Sequence, residues 1–307
     1  MKTIALVFAS LALPSMAMAQ QEPVTVSATA TTTVRLAPRN DRAAEQLGWQ
    51  LGVQAWTFRD RTTFETIDTA RALGLKYIEL YPGQKMTVDS DATVGADMKP
   101  EQLATLQKRL ADAGVRAMAF GVVGFNKDEA AARKTFAFAK VMGIGTITCE
   151  PDTDAWDLVE KLADEYQIQI ACHDHPKPSH YWNPETVLAA VKTRSPRLGA
   201  CADTGHWPRS GLDTVASLKL LEGRIRSLHF KDIAPANAKG EDKPWGTGEG
   251  KAHEMLTELH RQGFRGLISI EYESGAGKEL EANVAKCIEF LDAQAREFVA
   301  AKAKGEK

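Results

Sequence analysis

The sequence predicts an α/β protein built as one (β/α)8 TIM barrel. Short β-rich runs alternate with amphipathic helical segments, and the alternation repeats eight times between residues 48 and 298. That stretch is close to the ~250 residues that such a barrel needs. The first run is followed by Thr57–Arg61, whereas a doubly wound open sheet usually has a glycine-rich phosphate turn at that point. The 307-residue chain is therefore expected to form a single domain.

The predicted strands are apolar or β-branched runs, and helical patterns separate them. The runs begin near Leu51, Lys76, Val115, Thr146, Ile168, Leu198, Ile225 and Gly266. Between the second and third runs, Leu103, Leu106 and Leu110 recur at helical spacing and Gly114 follows as a stop signal. This order of strand and helix is the pattern of a parallel barrel.

The first 19 residues resemble an export signal. Lys2 supplies a positive charge, Ile4–Leu13 is uncharged and apolar, and Ala17–Ala19 has the small-x-small pattern of a cleavage site. The apolar run is too short for a membrane anchor, which needs about 18 residues. We therefore expect a signal peptide over residues 1–19, an exported protein in the periplasm or outside the cell, and no membrane span in the mature form.

Composition places the rest of the chain among soluble globular proteins. The formal net charge is −2, from 38 basic and 40 acidic residues. Proteins that follow a phosphate backbone usually carry a basic excess, so broad nucleic-acid binding is not expected. We expect a flexible lead-in over residues 20–47, the barrel over 48–298 and a charged tail over 299–307. The oligomeric state stays open.

Polar side chains stand at the ends of most predicted strands, where a TIM barrel places its chemistry. Alternation along the strands turns four of them toward the axis: Glu150, Asp203, His229 and Glu271. Converging carboxylates repel each other unless a cation neutralises them. This oxygen-rich set favours Mn²⁺, with Mg²⁺ or Co²⁺ as alternatives and Zn²⁺ less favoured. A carboxylate–imidazole hydrogen-bond network without metal is the competing interpretation.

Six short motifs in strand order resemble one known family. They are GVQAWTFRD (52–60), HDHP (173–176), ADTGHW (202–207), LHFKD (228–232), GTGEG (246–250) and ISIEYE (268–273). Together they are similar to the xylose isomerase-like TIM-barrel proteins of the sugar phosphate isomerase/epimerase type. The resemblance extends over essentially the whole chain after residue 48.

The resemblance implies roles for individual residues. It implies a divalent ion held by the same four residues that alternation selects, with Glu150 and Glu271 also acting as the acid/base pair across the substrate. His206 resembles a substrate-binding histidine of the family. The segment around Trp156 and Asp157 lacks the substrate-binding glutamate that some epimerases carry there.

Other candidate residues would bind the substrate. Trp56 could form an apolar wall against a sugar face, and Glu79 is expected to contact the substrate or support the metal ligands. His173 and His175 are expected to line the pocket rather than bind metal. Lys231 could stabilise an oxyanion or, equally, pair with a neighbouring glutamate.

The expected chemistry is removal of a proton next to a sugar carbonyl, giving epimerisation or isomerisation. Expulsion of a β-substituent would instead make the protein a lyase or hydratase on keto-sugars or 3-keto-glycosides. Export favours a keto-carbohydrate over a sugar phosphate as substrate, because phosphorylated anions rarely cross membranes. A non-catalytic sugar-binding barrel and an endonuclease IV-like nuclease are weaker alternatives, and the acidic balance opposes the nuclease.

Overall fold

A computed structural model describes residues 39–303, and its centre is a closed barrel of eight parallel strands. The barrel order is β1-β10-β7-β6-β5-β4-β3-β2. Its strands are β1 (Trp49–Gln54), β2 (Tyr77–Leu80), β3 (Arg116–Phe125), β4 (Thr146–Pro151), β5 (Gln169–His173), β6 (Leu198–Asp203), β7 (Ile225–Phe230) and β10 (Gly266–Ile270). The predicted single (β/α)8 TIM barrel is confirmed. Each predicted strand begins within two residues of its observed start.

Helices follow the strands and cover the barrel. They are α1 (Arg42–Leu47), α2 (Thr63–Ala72), α3 (Pro100–Ala113), α4 (Glu129–Met142), α5 (Trp156–Tyr166), α6 (Pro184–Val191), α7 (His206–Arg209), α8 (Thr214–Leu220), α9 (Ala252–Arg261) and α10 (Gly277–Ala303). Helix α3 ends at Gly114, which has φ +66° as the stop signal predicts. None of the described helices is both long and apolar enough to cross a membrane.

The first strand ends at Gln54, earlier than the apolar run in the sequence suggests, because local hydrogen bonds form a turn there. The residues Ala55–Phe58 form a 3-10 turn. The side chain of Gln54 accepts a hydrogen bond from the backbone N–H of Trp56 and so caps this turn. Trp56 thereby reaches the rim of the barrel with 41 % of its surface exposed.

The strand alternation predicted from the sequence is present in the barrel. Ile268, Ile270 and Phe230 are buried in the hydrophobic core, while Thr148 and Ser269 donate hydrogen bonds to Glu79. Since Glu79 is completely buried, its carboxylate forms a polar layer inside the barrel. The functional side chains lie next to this layer.

The ends of the chain lie largely outside the described residues. The predicted signal peptide and residues 20–38 of the predicted lead-in are not described. Where the description begins, Arg39 makes two 2.8 Å hydrogen bonds to Asp292 of α10. Helix α10 continues to Ala303, within the segment expected to be a charged tail, and residues 304–307 are outside the description.

Candidate metal centre and active site

Four buried side chains converge at the carboxyl end of the barrel. His173 ends β5, Asp203 ends β6, His229 lies in β7, and Glu271 follows β10 directly. Each of the four offers one ligand atom within 4.8 Å of the others. Since the strands are parallel, their carboxyl ends meet at one mouth. We call these four residues the mouth cluster.

Each imidazole of the mouth cluster has a carboxylate behind it. His173 Nδ1 hydrogen bonds to Glu150 Oε1 at 3.0 Å, and His229 Nε2 lies 3.0 Å from Glu79 Oε1. Carboxylates in such positions fix the ring orientation of metal-binding histidines and increase their basicity. The structure therefore contains the supporting groups that a metal centre needs.

Glu79 of β2 is held by hydroxyl groups from two strands that do not pair with β2. Thr148 of β4 donates a hydrogen bond of 2.6 Å to Oε1, and Ser269 of β10 donates one of 2.9 Å to Oε2. Both hydroxyls point inward because they alternate with residues that face the helices. A buried carboxylate needs such partners to offset the loss of water.

Three ring nitrogens of the mouth cluster have no hydrogen-bonding partner of correct geometry among the described residues. They are His173 Nε2 and both nitrogens of His229, all buried. Their nearest carboxylate atoms are close, with His173 Nε2 3.5 Å from Asp203 Oδ2 and His229 Nδ1 3.2 Å from Glu271 Oε2. Buried polar atoms are rarely left unpaired. His229 Nε2 faces Glu79, whereas His173 Nε2 and His229 Nδ1 face the cluster. A divalent cation there would satisfy these two inner nitrogens, so the residues present fit a metal ion.

Electrostatics keeps the carboxylates of the mouth cluster ionised. Burial raises the pKa of Asp203, but His206, Lys231 and His173 outweigh burial and hold it well below its usual value. Burial likewise raises the pKa of Glu271, and His229 and Lys231 lower it overall. Both groups are therefore available as anionic ligands at neutral pH.

Glu150 lies beside the mouth cluster and is not among its four mutually close side chains. Its carboxylate contacts His173 and His175, and Ser179 donates a hydrogen bond of 3.3 Å to it. Burial raises the pKa of Glu150, but the two histidines bring it down to about 2. The assignment of Glu150 as a metal ligand stays a prediction, and His173 occupies the fourth place in the cluster.

Lys231 crosses the middle of the site and is almost completely buried. Its Nζ lies 2.7 Å from Asp203 Oδ2, 2.6 Å from Glu271 Oε2 and 2.9 Å from Glu273 Oε2. Burial lowers its pKa, but Asp203 and Glu271 raise it well above the usual value. Of the two roles that the sequence left open, the pairing with carboxylates is the one observed.

A cavity of about 230 Å³ opens above the mouth cluster. Trp56 stands at its rim with Tyr81 at an edge-to-face centroid distance of 5.2 Å. The cavity is lined by Gln54, Trp56, Tyr81, Pro82, Gly121, Val122, His173, His175, His206, Glu271 and Glu273. An aromatic rim over a polar floor is the usual form of a site for a small polar molecule.

A short hairpin contacts the backbone of Glu273, a residue that lines the cavity. Strands β8 (Asp232–Ala234) and β9 (Glu241–Lys243) pair antiparallel. Asp242 of β9 accepts a hydrogen bond from the backbone N–H of Glu273 at 2.6 Å and another from Arg209 at 3.0 Å. The hairpin thereby fixes the position of Glu273, whose side chain faces Lys231.

The GTGEG segment is fastened to this hairpin by one side chain. Asp232 accepts hydrogen bonds from the backbone N–H groups of Gly246, Gly248 and Gly250 at 2.8–3.0 Å. A Cβ on Gly248 would lie 2.4 Å from Asp232 Oδ1. Only glycine therefore allows the backbone to approach this carboxylate so closely.

The predicted substrate residues have different surroundings. His175 and His206 line the cavity with Trp56, while Glu79 lies in the polar layer behind His229. Burial lowers the pKa of His206 well below its usual value. The substrate-binding roles of these residues stay predictions.

Several functional residues were not found by sequence reasoning. Tyr81, Arg209 and Asp242 were not singled out, because their contacts join distant segments. The inward position of His173 had a usable signal in the sequence: Ile170 and Cys172 are core residues, so alternation turns His173 toward the axis.

Comparisons with known proteins agree with this fold. A crystal structure of a protein from Parabacteroides distasonis ATCC 8503 is 35% identical and covers 80% of this chain and 98% of that chain, with a TM-score of 0.66. A D-tagatose 3-epimerase-like protein is 17% identical, covering 83% and 99%, with a TM-score of 0.63. The IOLI protein with a bound zinc atom is 18% identical, covering 82% and 98%, with a TM-score of 0.58.

Among proteins of curated function, none is a significant match. The family model described as xylose isomerase-like TIM barrel matches residues 67–294. The match includes β2–β7, β10 and all four residues of the mouth cluster. The chain belongs to the xylose isomerase-like TIM barrel family.

Proposed function

We propose that this chain is an exported, divalent-metal-dependent carbohydrate isomerase or epimerase that removes a proton next to a sugar carbonyl. The observation that carries the proposal is the mouth cluster, with two carboxylates and two imidazoles whose inner nitrogens lack partners. The similarity to a D-tagatose 3-epimerase-like protein supports a sugar substrate. Export is supported by the N-terminal sequence.

The cluster suits a divalent ion of borderline character. Two imidazoles and two carboxylates fit Mn²⁺ or Co²⁺ and also accommodate Zn²⁺, the metal bound in the similar IOLI protein. We keep Mn²⁺ as the expected metal. Held by His173, Asp203, His229 and Glu271, the ion would polarise a substrate oxygen and stabilise an enolate.

Proton transfer falls to carboxylates at the mouth. Glu271 lines the cavity, and its lowered pKa keeps it ionised and able to accept a proton. Glu150 is the proposed second group, and His175 on its Oε1 supplies an exchangeable proton. His206 and cationic Lys231 would bind and orient substrate oxygens. General acid–base catalysis of this kind contributes about 10²–10⁴-fold in rate.

One observation favours a lyase acting on 3-keto-glycosides as the second candidate. The His175 side chain is half-exposed at the mouth, with Nδ1 on Glu150. Its other ring nitrogen is thus free of that contact and could protonate a departing aglycone. The same proton abstraction would then be followed by loss of the β-substituent in place of reprotonation.

Deuterium exchange distinguishes the candidates. The Mn²⁺-reconstituted protein is incubated in D₂O with keto-sugars and 3-keto-glycosides, and products are analysed by NMR after removal of protein and metal. Deuterium in the sugar without loss of water or aglycone supports the isomerase or epimerase. Elimination products support the lyase, and no exchange across a broad panel contradicts the proposal.

Matched variants link the exchange to the site. Glu271→Gln and Glu150→Gln are each expected to lower the exchange rate at least 100-fold, because each removes a proton acceptor. Glu254→Gln, an exposed residue of α9, should exchange at the wild-type rate. Equal rates in all variants would exclude these carboxylates as the acid/base pair.

A further inference from the structure

The ammonium of Lys231 contacts the same oxygen atoms that face the imidazoles of the mouth cluster. Asp203 Oδ2 lies 2.7 Å from Lys231 Nζ and 3.5 Å from His173 Nε2. Glu271 Oε2 lies 2.6 Å from Nζ and 3.2 Å from His229 Nδ1. The metal and the ammonium therefore need the same two carboxylate oxygens.

Contacts with the neighbouring turn fix the position of Lys231. Its backbone N–H donates to Thr204 Oγ1 at 2.7 Å, and the Thr204 hydroxyl donates to its carbonyl at 2.8 Å. A Cβ on Gly205 would lie 2.7 Å from Lys231 Cδ, so the glycine leaves room for the lysine stem. The side chain is thus guided toward the cluster by its neighbours in the turn that follows β6.

Glu273 is an alternative carboxylate partner for the ammonium group of Lys231. Its Oε2 lies 2.9 Å from Lys231 Nζ, and its side chain, about one-third exposed, lines the cavity. Arg209 is 3.7 Å from the same oxygen but is mainly paired with Asp242. A small movement of Nζ away from Asp203 and Glu271 would therefore keep one carboxylate partner and bring the ammonium to the cavity.

We propose that Lys231 is an internal cation that competes with the metal. Without metal it neutralises Asp203 and Glu271 and stabilises the empty mouth. A divalent ion displaces it from these oxygens, because two cations on the same carboxylates repel each other. The displaced ammonium then pairs with Glu273 at the cavity, where it can donate to a substrate oxygen. This inference rests on the proposed metal site.

Removal of the ammonium tests the competition directly. Lys231→Met keeps an apolar stem and removes the charge, while Lys108→Met removes an exposed lysine of α3 that pairs with Asp112 of the same helix. Mn²⁺ affinity is measured by calorimetry on metal-stripped protein. We expect Lys231→Met to bind Mn²⁺ at least tenfold tighter than wild type, and Lys108→Met to bind as wild type does. Equal or weaker binding by Lys231→Met would overturn the proposal.

Thermal unfolding of the same proteins gives a second readout. Metal-free Lys231→Met should unfold at a lower temperature than metal-free wild type, because Asp203 and Glu271 then face each other without a cation. Saturating Mn²⁺ should remove this difference. Aggregation of the variant on metal stripping, with recovery in Mn²⁺, counts as the same result. A difference that persists in saturating Mn²⁺ would contradict it.

Glu273→Gln tests whether the displaced ammonium pairs with Glu273. The expected change in Mn²⁺ affinity is opposite to that of Lys231→Met. This variant leaves Lys231 with only Asp203 and Glu271, so Mn²⁺ affinity should fall several-fold. Unchanged affinity would contradict the displacement toward Glu273. If the wild type bound no Mn²⁺, the proposed metal site would fail together with this inference. Tight wild-type binding with an unchanged Lys231→Met would remove the inference alone.

Discussion

At the scale of single residues, the site depends on side chains that orient other side chains. His173 and His229 are useful as ligands only if their inner nitrogens face the cluster. Glu150 and Glu79 lie at the opposite nitrogens, at 3.0 Å each. Removing such a carboxylate typically weakens metal binding 10–100-fold without touching the metal.

Glu79→Gln tests this positioning. The amide oxygen can still accept a hydrogen bond from Thr148 and the amide NH₂ can donate one to Ser269, but the side chain no longer places a negative charge behind His229. We expect Mn²⁺ affinity to fall about 10–100-fold in calorimetric titration. Glu258→Gln, a buried glutamate of α9 paired with Arg261, is the matched control and should bind Mn²⁺ as wild type does. Equal affinity in both variants would show that Glu79 only fills the barrel interior.

The sequence predicts three members of the mouth cluster and assigns His173 a different role. Alternation identifies which side chains face the axis, and Asp203, His229 and Glu271 all do so. Alternation does not tell which of two inward-facing side chains on neighbouring strands lies closer to the other three members of the cluster. Cys149 pairs with Cys172 across β4 and β5, so Glu150 and His173 lie side by side. Which of the two comes within reach of the other three side chains depends on side-chain packing, which a single sequence does not reveal.

At the scale of elements, the β8–β9 hairpin positions Glu273 at the cavity. The hairpin was not predicted from the sequence, because its three-residue strands are too short for a visible alternation. The structure shows how the segment is fixed, through Asp232 to three glycine amides and through Asp242 to Glu273. Long connections of this kind in compact domains are often functional.

Hydrogen exchange tests the Asp232 anchor. Asp232→Asn replaces a carboxylate oxygen with an NH₂ group, which cannot accept the bonds from the glycine amides. We expect faster deuterium uptake at residues 246–250 by mass spectrometry, because these amides lose their partner. Asp89→Asn, an exposed site in the loop before α3, should leave this uptake unchanged. Unaltered protection in Asp232→Asn would show that other contacts hold the segment.

At the scale of the whole molecule, the barrel is the part that a sequence specifies best. All eight strands are long enough to show their alternation, and each is bounded by a helix or a turn. The 3-10 turn at Ala55–Phe58 departs from this pattern because the side chain of Gln54 caps the turn. Such a local hydrogen bond overrides the apolar run that would otherwise continue the strand.

Metal binding should stabilise the entire fold. The mouth cluster joins β5, β6, β7 and the end of β10, so a bound ion links four neighbouring strands. A ligand at a hundred times its Kd stabilises the native state by about 2.7 kcal/mol. We expect Mn²⁺ to raise Tm and EDTA to reverse the change, measured by calorimetry. His260→Gln, a histidine of α9 stacked on Phe298, should retain the Mn²⁺-dependent rise, whereas His229→Gln should lose it.

The mouth cluster is the proposed binding site of the catalytic divalent ion. The most direct measurement is anomalous X-ray diffraction from Mn²⁺-loaded crystals, with data collected at the manganese absorption edge. We predict one strong peak in direct contact with His173 Nε2, Asp203, His229 Nδ1 and Glu271. Absence of manganese from the cluster, or a peak elsewhere in the barrel, would contradict the assignment of the mouth cluster as the metal site.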